Sequence, residues 1–141
     1  MVVPSIIIMV MWLLRVCNFV DDSTNYGGAI YLNGGTVTVN NSKFSNNLAD
    51  WGSALCLING GVVTVSGSNF IDNSTISEGG AVMDLGFVTV TGSSFKDNTA
   101  ILGGVIYSCG IANLHFNNIV GNTPNPGVEI NTYAGMGIAN A

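Results

Sequence analysis

Charged residues are scarce in this chain of 141 residues, at 8% of the sequence, and only three of them are Lys or Arg. An ordinary globular protein carries roughly 25% charged residues. A surface that binds nucleic acid or an anionic membrane needs clustered cations that neutralise phosphates. Three cations against eight acidic residues, for a net charge of −5, exclude such a surface, so we expect no nucleic-acid partner.

Residues that bind metals or carry redox chemistry are equally few. The chain has one histidine, His115, and three cysteines, Cys17, Cys56 and Cys109, with no Cys-x-x-Cys spacing. Structural zinc needs four Cys or His ligands, and a nucleophilic cysteine needs a neighbouring base. Disulfide scaffolds use an even number of cysteines. We therefore predict no metal, no cofactor, no disulfide and no enzymatic activity.

Glycine and asparagine, in contrast, are abundant, with 19 and 18 residues respectively. Both residue types favour tight turns and positive φ. Hydrophobic residues make up 48% of the chain, which excludes a disordered acidic segment. No stretch repeats apolar residues with the spacing of a helix face, so short strands separated by turns are predicted.

Three short sequence patterns recur with one period. The first, in which Asp or Asn follows an aromatic or aliphatic residue after two positions, occurs at Phe19–Asp22, Phe44–Asn47, Phe70–Asn73, Phe95–Asn98 and Ile119–Asn122. The second, led by glycine, occurs at Gly27–Ile30, Gly52–Leu55, Gly79–Val82, Gly103–Ile106 and, more weakly, Gly127–Ile130. The third, Val-Thr-Val, occurs at Val37–Val39, Val63–Val65 and Val88–Val90, with a weak copy at Ala112–Leu114. Successive copies lie 24–27 residues apart, which indicates a repeat architecture.

Each repeat is predicted to contain three short strands, and stacked coils of about 25 residues give an all-β, parallel β-helix. The winding is expected to be right-handed, because parallel crossover connections nearly always are. Alternation along Val-Thr-Val places the valines on one face and the threonine on the other. Neighbouring strands lie about 4.8 Å apart, so Phe44, Phe70 and Phe95 should stack directly above one another.

The asparagines that end the first pattern are expected to form a second stack. They are Asn47, Asn73, Asn98 and Asn122. A buried amide has to satisfy both its donors and its acceptor. Amides repeated at strand spacing can bond to one another, so we predict a hydrogen-bonded ladder that fixes the turn after each Phe strand.

Residues 1–16 form an apolar segment ahead of the repeats at 17–141. Its uninterrupted run, Ile6–Leu14, is nine residues long, whereas a membrane-spanning helix needs about 20. The run is long enough for the hydrophobic region of a secretory signal peptide. Three alternatives stay open: a cap on the repeat stack, a misplaced gene start, or a degenerate first repeat with Trp12 and Leu14 facing inward. We expect residues 17–141 to hold about five coils from a longer, truncated array.

One column of acids could carry chemistry. Asp21, Asp72 and Asp97 occupy the same repeat position. Acids on adjacent coils would lie about 5 Å apart, the separation that retaining glycosidases use, and calcium could bridge them. Aspartate also suits turns, and no second acid, Arg or His occupies a neighbouring column. We therefore interpret these acids as turn residues and assign no catalytic residue. We also expect Lys96 to point away from Asp97, and His115 to be an exposed turn residue.

The first two patterns also carry a family resemblance. The residues concerned are Gly27–Ile30, Phe44–Asn47, Phe70–Asn73, Gly79–Val82 and Phe95–Asn98. Their alternation over residues 17–131 resembles the polymorphic outer membrane protein repeats of chlamydiae and the adhesin-like repeat proteins of bacteria and methanogenic archaea. The resemblance implies a right-handed, pectate-lyase-like β-helix that is displayed at the cell surface and used in adhesion.

Two functions follow as hypotheses. The first is a non-enzymatic protein, secreted or held at the cell surface or outer membrane, that binds a protein or glycan of a host or neighbouring cell. Its binding face would be rich in Thr, Ser, Asn and Tyr. The alternative is a fragment of a polysaccharide-active lyase or glycoside hydrolase that uses the stacked Asp72 and Asp97. Open strand edges also predict end-to-end self-association, unless the apolar N-terminal run and Pro124 and Pro126 cover the two ends.

Overall fold

The computed structural model describes residues 11–123, together with the backbone of residues 7–8 and 128–130. Every regular element in this part of the chain is a β-strand, and no helix occurs in it. Each strand pairs in parallel with its equivalents in the neighbouring coils, roughly 25 residues away. The chain therefore winds into a β-solenoid of about four turns, which confirms the parallel β-helix predicted from the repeats. The right-handed sense of the winding stays a prediction from the crossover rule.

Four parallel sheets run along the column, and we number them in chain order. Sheet 1 contains Ile7–Ile8, Ile30–Asn33, Leu55–Ile58, Val82–Asp84, Ile106–Ser108 and Val128–Ile130. Sheet 2 contains Met11–Arg15, Thr36–Asn40, Val62–Ser66, Phe87–Thr91 and Ile111–His115. Sheet 3 contains Asn18–Val20, Lys43–Ser45, Asn69–Ile71, Ser94–Lys96 and Asn118–Val120. Sheet 4 contains Ser23–Tyr26, Leu48–Trp51 and Ser74–Thr75.

Sheet 4 extends the predicted three-strand coil by a short fourth segment. Beyond Ser74–Thr75 it continues as the isolated bridges Ser74–Thr99 and Thr99–Thr123. We did not predict this segment, because Ser23–Tyr26 and Leu48–Trp51 share neither residue types nor a motif. Besides backbone pairing, the Thr75 hydroxyl donates to the carbonyl of Asp50, and the outward residues of these segments vary from coil to coil.

The bends between sheets fall at residues with left-handed backbone. Between sheets 3 and 4 they are Asp21, Asn46, Asp72, Asp97 and Gly121, with φ from 54° to 69°. Asp and Asn tolerate this conformation better than other residues with a Cβ atom. The bend between sheets 4 and 1 uses Gly27, Gly52, Gly79 and Gly103. A Cβ atom at any of these four glycines would collide with the carbonyl oxygen three residues further on, which explains why the second motif begins with glycine.

The interior confirms the predicted stacks. The rings of Phe19, Phe44, Phe70 and Phe95 lie nearly parallel, with successive centroids 4.6, 4.7 and 4.6 Å apart. The valines of the Val-Thr-Val pattern are fully buried or nearly so. Burial of each such side chain stabilises the fold by about 1.5–3 kcal/mol. The main core is one continuous cluster along the column axis.

The predicted asparagine ladder is also present. Each Asn Nδ2 donates to the Oδ1 of the next coil, at 2.9 Å in all three steps from Asn47 through Asn73 and Asn98 to Asn122. The same Nδ2 donates to the carbonyl of a Phe in the previous coil, such as Phe19 for Asn47. Each Oδ1 also accepts a backbone N–H from the coil before it. The buried amides are thus fully used.

A second ladder, which we did not predict, joins sheets 2 and 3. Ser42, Ser68 and Ser93 are buried, and each hydroxyl accepts the backbone N–H of the equivalent residue in the coil before it. Asn117 takes the same role in the last coil, where its Oδ1 accepts the N–H of Ser93. These residues stand two positions before each residue of the Phe column, so the repeat alignment does contain the signal.

The apolar N-terminal run takes part in the column. Ile7–Ile8 pairs with the second strand of sheet 1, and Met11–Arg15 pairs with the second strand of sheet 2. Leu14 is buried, as expected for an inward residue of a degenerate repeat, whereas Trp12 is 43% exposed. Strands thus lie on both sides of the proposed division at residues 16 and 17. Removal of this segment as a signal peptide stays a prediction.

The last glycine-led copy pairs in a different register from the one predicted. Val128 lies beside Ile106, and Ile130 beside Ser108. The predicted alignment placed Ile130 beside Ile106 and was wrong by two residues. Pro124, Pro126 and Gly127 lie outside the described residues. End-to-end self-association stays a prediction.

Candidate functional site

The predicted acid column lies on the outside of the solenoid. Asp21, Asp72 and Asp97 are exposed and share the left-handed bend between sheets 3 and 4. Lys96 Nζ lies 3.6 Å from Asp97 Oδ2, so the expectation that Lys96 points away from Asp97 was wrong. The strand, and with it the alternation of side chains, ends at Lys96. The bend at Asp97 then turns the Asp97 side chain outward, beside that of Lys96. Both side chains are about half exposed, and such surface pairs contribute little to stability.

The histidine and the cysteines are separate from one another. His115 is the last residue of a sheet 2 strand and half-buried, not an exposed turn residue as predicted. Strand pairing with Thr91 holds it in place. Cys17, Cys56 and Cys109 are free thiols. Burial raises the pKa of Cys56 to about 12, so its thiol stays protonated and unreactive at neutral pH.

One carboxyl group that we did not predict lies inside the column. Asp84 is completely buried in sheet 1. Its Oδ1 accepts the backbone N–H of Gly86, and its Oδ2 accepts the hydroxyl of Ser108, both at 2.7 Å. Burial raises its pKa, and these two hydrogen bonds oppose that rise. Asp84 follows Val82 by two residues, so alternation along the strand does predict an inward position. Both oxygens are already bonded, which makes Asp84 a structural group.

A second carboxyl group stands at the first position of the asparagine ladder. The backbone N–H of Asp22 donates to Asn47 Oδ1 at 3.1 Å, as each Asn does further along. Its side chain lacks the amide N–H that the ladder uses, and Oδ2 is buried without a hydrogen-bond partner in the described part of the chain. Burial, followed by the neighbouring charge of Asp21, raises the pKa of Asp22.

The outer face of sheet 2 presents five strands of five residues each in register. Its side chains form three rows that run across five coils in register. The first row is Met11, Thr36, Val62, Phe87 and Ile111. The central row is Leu13, Thr38, Thr64, Thr89 and Asn113. The third row is Arg15, Asn40, Ser66, Thr91 and His115. All fifteen are at least partly exposed, and Arg15 is the one Asp, Glu, Lys or Arg among them.

A shallow groove of about 430 Å³ follows the third row at the first coils of this face. It is lined by Arg15, Val16, Asn40, Asn41 and Ser66. The hydroxyl of Ser66 donates to Asn40 Oδ1 at 2.6 Å, which joins two coils along the groove. Amide and hydroxyl groups therefore line a surface that can exchange hydrogen bonds with a ligand.

An aromatic corner lies where sheet 4 turns into sheet 1. It consists of Tyr26, Tyr31 and Trp51. The ring centroid of Tyr26 is 5.9 Å from that of Tyr31 and 6.2 Å from that of Trp51, both at tilted angles. Tyr26 is 52% exposed and Trp51 is 39% exposed. We did not predict this cluster, because the three residues belong to two different repeats and to no shared motif.

The described residues hold no group of three or more His, Cys, Asp or Glu side chains arranged to bind a metal ion. Within the same residues, no helix is long and apolar enough to cross a membrane. In the comparisons with known proteins, no protein-family model, no curated protein and no solved structure matches this chain.

Proposed function

We propose that this protein is a non-enzymatic surface-interaction protein. It acts outside the cell, at the cell surface or outer membrane or after secretion, and its partner is a protein or glycan of a host or neighbouring cell. The outer face of sheet 2 is the proposed contact surface. The resemblance of the repeats to adhesin-like proteins supports the location, and the geometry of the face supports the mode of binding.

The observation that carries the proposal is the set of three side-chain rows on sheet 2. Parallel strand pairing fixes hydroxyl, amide and apolar groups at strand spacing, about 4.8 Å, over five coils. A rigid face loses little conformational entropy on binding. With one charged side chain in the rows, attraction would come from contact and hydrogen bonding rather than from long-range electrostatics. Such weak contacts add up when many copies are displayed together.

The polysaccharide-active alternative draws less support from the geometry. A catalytic carboxylate pair needs supporting side chains that hold it in place. Asp72 and Asp97 are exposed bend residues, and the one ion pair of Asp97 is with Lys96. Turnover of pectin-type or neutral polysaccharides, with or without calcium, would favour this alternative if Asp72→Asn and Asp97→Asn abolished it.

Binding to intact cells tests the proposed function. The biotinylated protein, assembled on fluorescent streptavidin, would be incubated with epithelial and bacterial cells and measured by flow cytometry. The test variant places three glutamates in the central row of sheet 2: Thr38→Glu, Thr64→Glu and Thr89→Glu. The control places three on the outer side of sheet 3: Asn69→Glu, Ser94→Glu and Asn118→Glu.

We expect saturable binding that falls about tenfold or more in the sheet 2 variant, which corresponds to a loss of about 1.4 kcal/mol. The sheet 3 variant should bind like the natural sequence. Treating the cells with protease or with periodate then separates a protein partner from a glycan partner. Absence of binding to every cell type, or equal binding by both variants, would contradict the proposal.

A further inference from the structure

The aromatic corner is built as a fixed platform on a different face from sheet 2. Tyr26 and Trp51 end equivalent strands of sheet 4 and lie side by side in register. The N–H of Gly27 donates to the carbonyl of Trp51 at 3.0 Å. The hydroxyl of Thr24 donates to the carbonyl of Tyr26 at 2.8 Å. The backbone that carries both rings is thus held on a hydrogen-bonded bend, which places the two ring centroids 6.2 Å apart.

The platform is confined to the first two coils. The residue before the first glycine of the second motif is Tyr26, Trp51, Glu78 and Leu102 in successive coils. The N–H of Gly52 donates to the carbonyl of Glu78, as that of Gly27 does to the carbonyl of Trp51, so Glu78 stands one coil beyond the rings. A repeating structural role would require a similar residue in every coil. An aromatic pair followed by a carboxylate is therefore a local feature.

The charges around the corner favour an uncharged ligand. All three cations of the chain lie on sheets 2 and 3, at Arg15, Lys43 and Lys96. Asp50 precedes Trp51 in the same strand, and Glu78 follows one coil later. These carboxylates would repel a uronate or sulfate but can accept hydrogen bonds from hydroxyl groups. Aromatic faces provide contact area at low entropic cost, and they suit the flat C–H face of a pyranose ring.

We propose that Tyr26 and Trp51 form a binding site for a neutral glycan of pyranose units. The Glu78 carboxylate, whose Oε2 already accepts the Ser77 hydroxyl, accepts hydrogen bonds from the sugar hydroxyl groups through its other oxygen. One sugar ring stacks on the indole of Trp51, and Tyr31 supports the ring of Tyr26 from behind. This site would give the protein a carbohydrate ligand that is independent of any partner on sheet 2.

Ligand-observed saturation-transfer NMR with cellohexaose tests the stacking, and calorimetric titration measures the affinity. We expect transfer from the aromatic protons of the full chain to the C–H protons of the sugar. The affinity should fall about tenfold or more in Trp51→Ala and to a smaller extent in Glu78→Gln. Phe116→Ala is the matched control, because Phe116 is also an exposed aromatic residue, at 82%, but lies at the bend between sheets 2 and 3. It should leave binding unchanged.

The uronate form of cellohexaose, oxidised at C6 and with the same linkages, provides the charge test, and it should bind at least about tenfold more weakly than cellohexaose. Tyr26→Ala is a second variant that should weaken binding, and thermal unfolding checks that each variant is folded. Absence of cellohexaose binding, equal binding by Trp51→Ala, or equal or stronger binding of the uronate form would overturn the proposal. None of these results depends on the sheet 2 face, so the two proposals can fail separately.

Discussion

Gly103 and Gly92 have nearly the same left-handed backbone, with φ of 60° and 57°, but different surroundings. A Cβ atom at Gly103 would collide with the carbonyl of Ile106, whereas nothing lies within 4 Å of one at Gly92. Gly92→Ala should therefore cost about 1–2 kcal/mol, from the backbone conformation alone. Gly103→Ala adds a steric clash and should cost clearly more. Urea unfolding midpoints measure both, and equal losses would contradict the bend geometry.

Asp22 occupies the first position of the asparagine ladder. In its ionised form, its partly buried carboxylate cannot donate to Asn47 Oδ1, as Asn47 Nδ2 does to Asn73 Oδ1. Asp22→Asn should supply that donor and increase stability at pH 7 by up to about 1 kcal/mol. Because the pKa of Asp22 is raised in the fold, the native protein favours the protonated carboxyl more than the unfolded chain does. A protonated carboxyl has an O–H group that can donate to Asn47 Oδ1. The advantage of the variant should thus shrink as the pH falls toward 4.

Chemical denaturation at pH 7 and at pH 4 measures this difference. Asp21→Asn is the control, since Asp21 is an exposed bend residue outside the ladder. It removes a nearby charge but adds no donor to Asn47. An Asp22→Asn variant that is no more stable than the natural sequence at pH 7, or a gain of equal size at both pH values, would show that the ladder does not begin at Asp22.

At the scale of the element, the asparagine ladder ties each coil to the next. Asn73 is fully buried, and its amide bonds to Asn98, Phe44 and the backbone of Asn47. Asn73→Ala leaves several of these groups without a partner, and each buried unsatisfied group costs about 1–3 kcal/mol. We therefore expect a loss of about 3 kcal/mol or more. The exposed Asn69, in the same coil, should tolerate alanine within about 0.5 kcal/mol.

Urea denaturation of the two alanine variants gives both values. Comparable stability of Asn73→Ala and Asn69→Ala would mean that the buried amides add nothing beyond the turn itself. In that case backbone pairing between coils, rather than the side-chain ladder, would account for the register.

How much of each element could be predicted depends on how strictly its position constrains the residue type. Interior positions accept few side chains, so Phe, Val and Asn recur and reveal the stacks. In sheet 4 the inward positions of Ala49 and Thr75 are buried, but the other residues vary from coil to coil. Tyr26 and Trp51 each precede the glycine that begins the second motif, whereas the equivalent residues of the next two coils are Glu78 and Leu102. The proximity of the two rings therefore becomes visible only once the coils are stacked. The hydrogen bond that allows Asp84 to be buried was not predicted for a related reason, since its partner Ser108 lies one coil away.

At the scale of the whole molecule, a buried acid sets the pH dependence of stability. The pKa of Asp84 is raised above its ordinary value of 3.8, chiefly by burial. The fold favours the protonated form of Asp84. Its contribution to the free energy of unfolding is therefore fully present below about pH 3.8 and is lost as the pH rises through the raised native pKa. The protein should therefore gain stability on mild acidification, where many proteins lose it.

Asp84→Asn should flatten this dependence, because an uncharged amide can accept the N–H of Gly86 through Oδ1 and donate through Nδ2 to the Ser108 hydroxyl. Thermal unfolding between pH 4 and pH 8 measures the effect. We expect a higher Tm at pH 4.5 than at pH 7.5 in the natural sequence and a smaller difference in the variant. A Tm that falls steadily on acidification would contradict the assignment of Asp84 as a buried acid with a raised pKa.

The central claim is that equivalent residues of successive coils lie directly above one another. NMR on a deuterated sample with protonated phenylalanine rings tests it most directly, because two of the six phenylalanines, Phe87 and Phe116, lie outside the stack and serve as internal controls. The account predicts ring-to-ring cross-peaks from Phe19 to Phe44, Phe44 to Phe70 and Phe70 to Phe95, across centroid distances of 4.6–4.7 Å. Cross-peaks in any other order, or none between these rings, would contradict it.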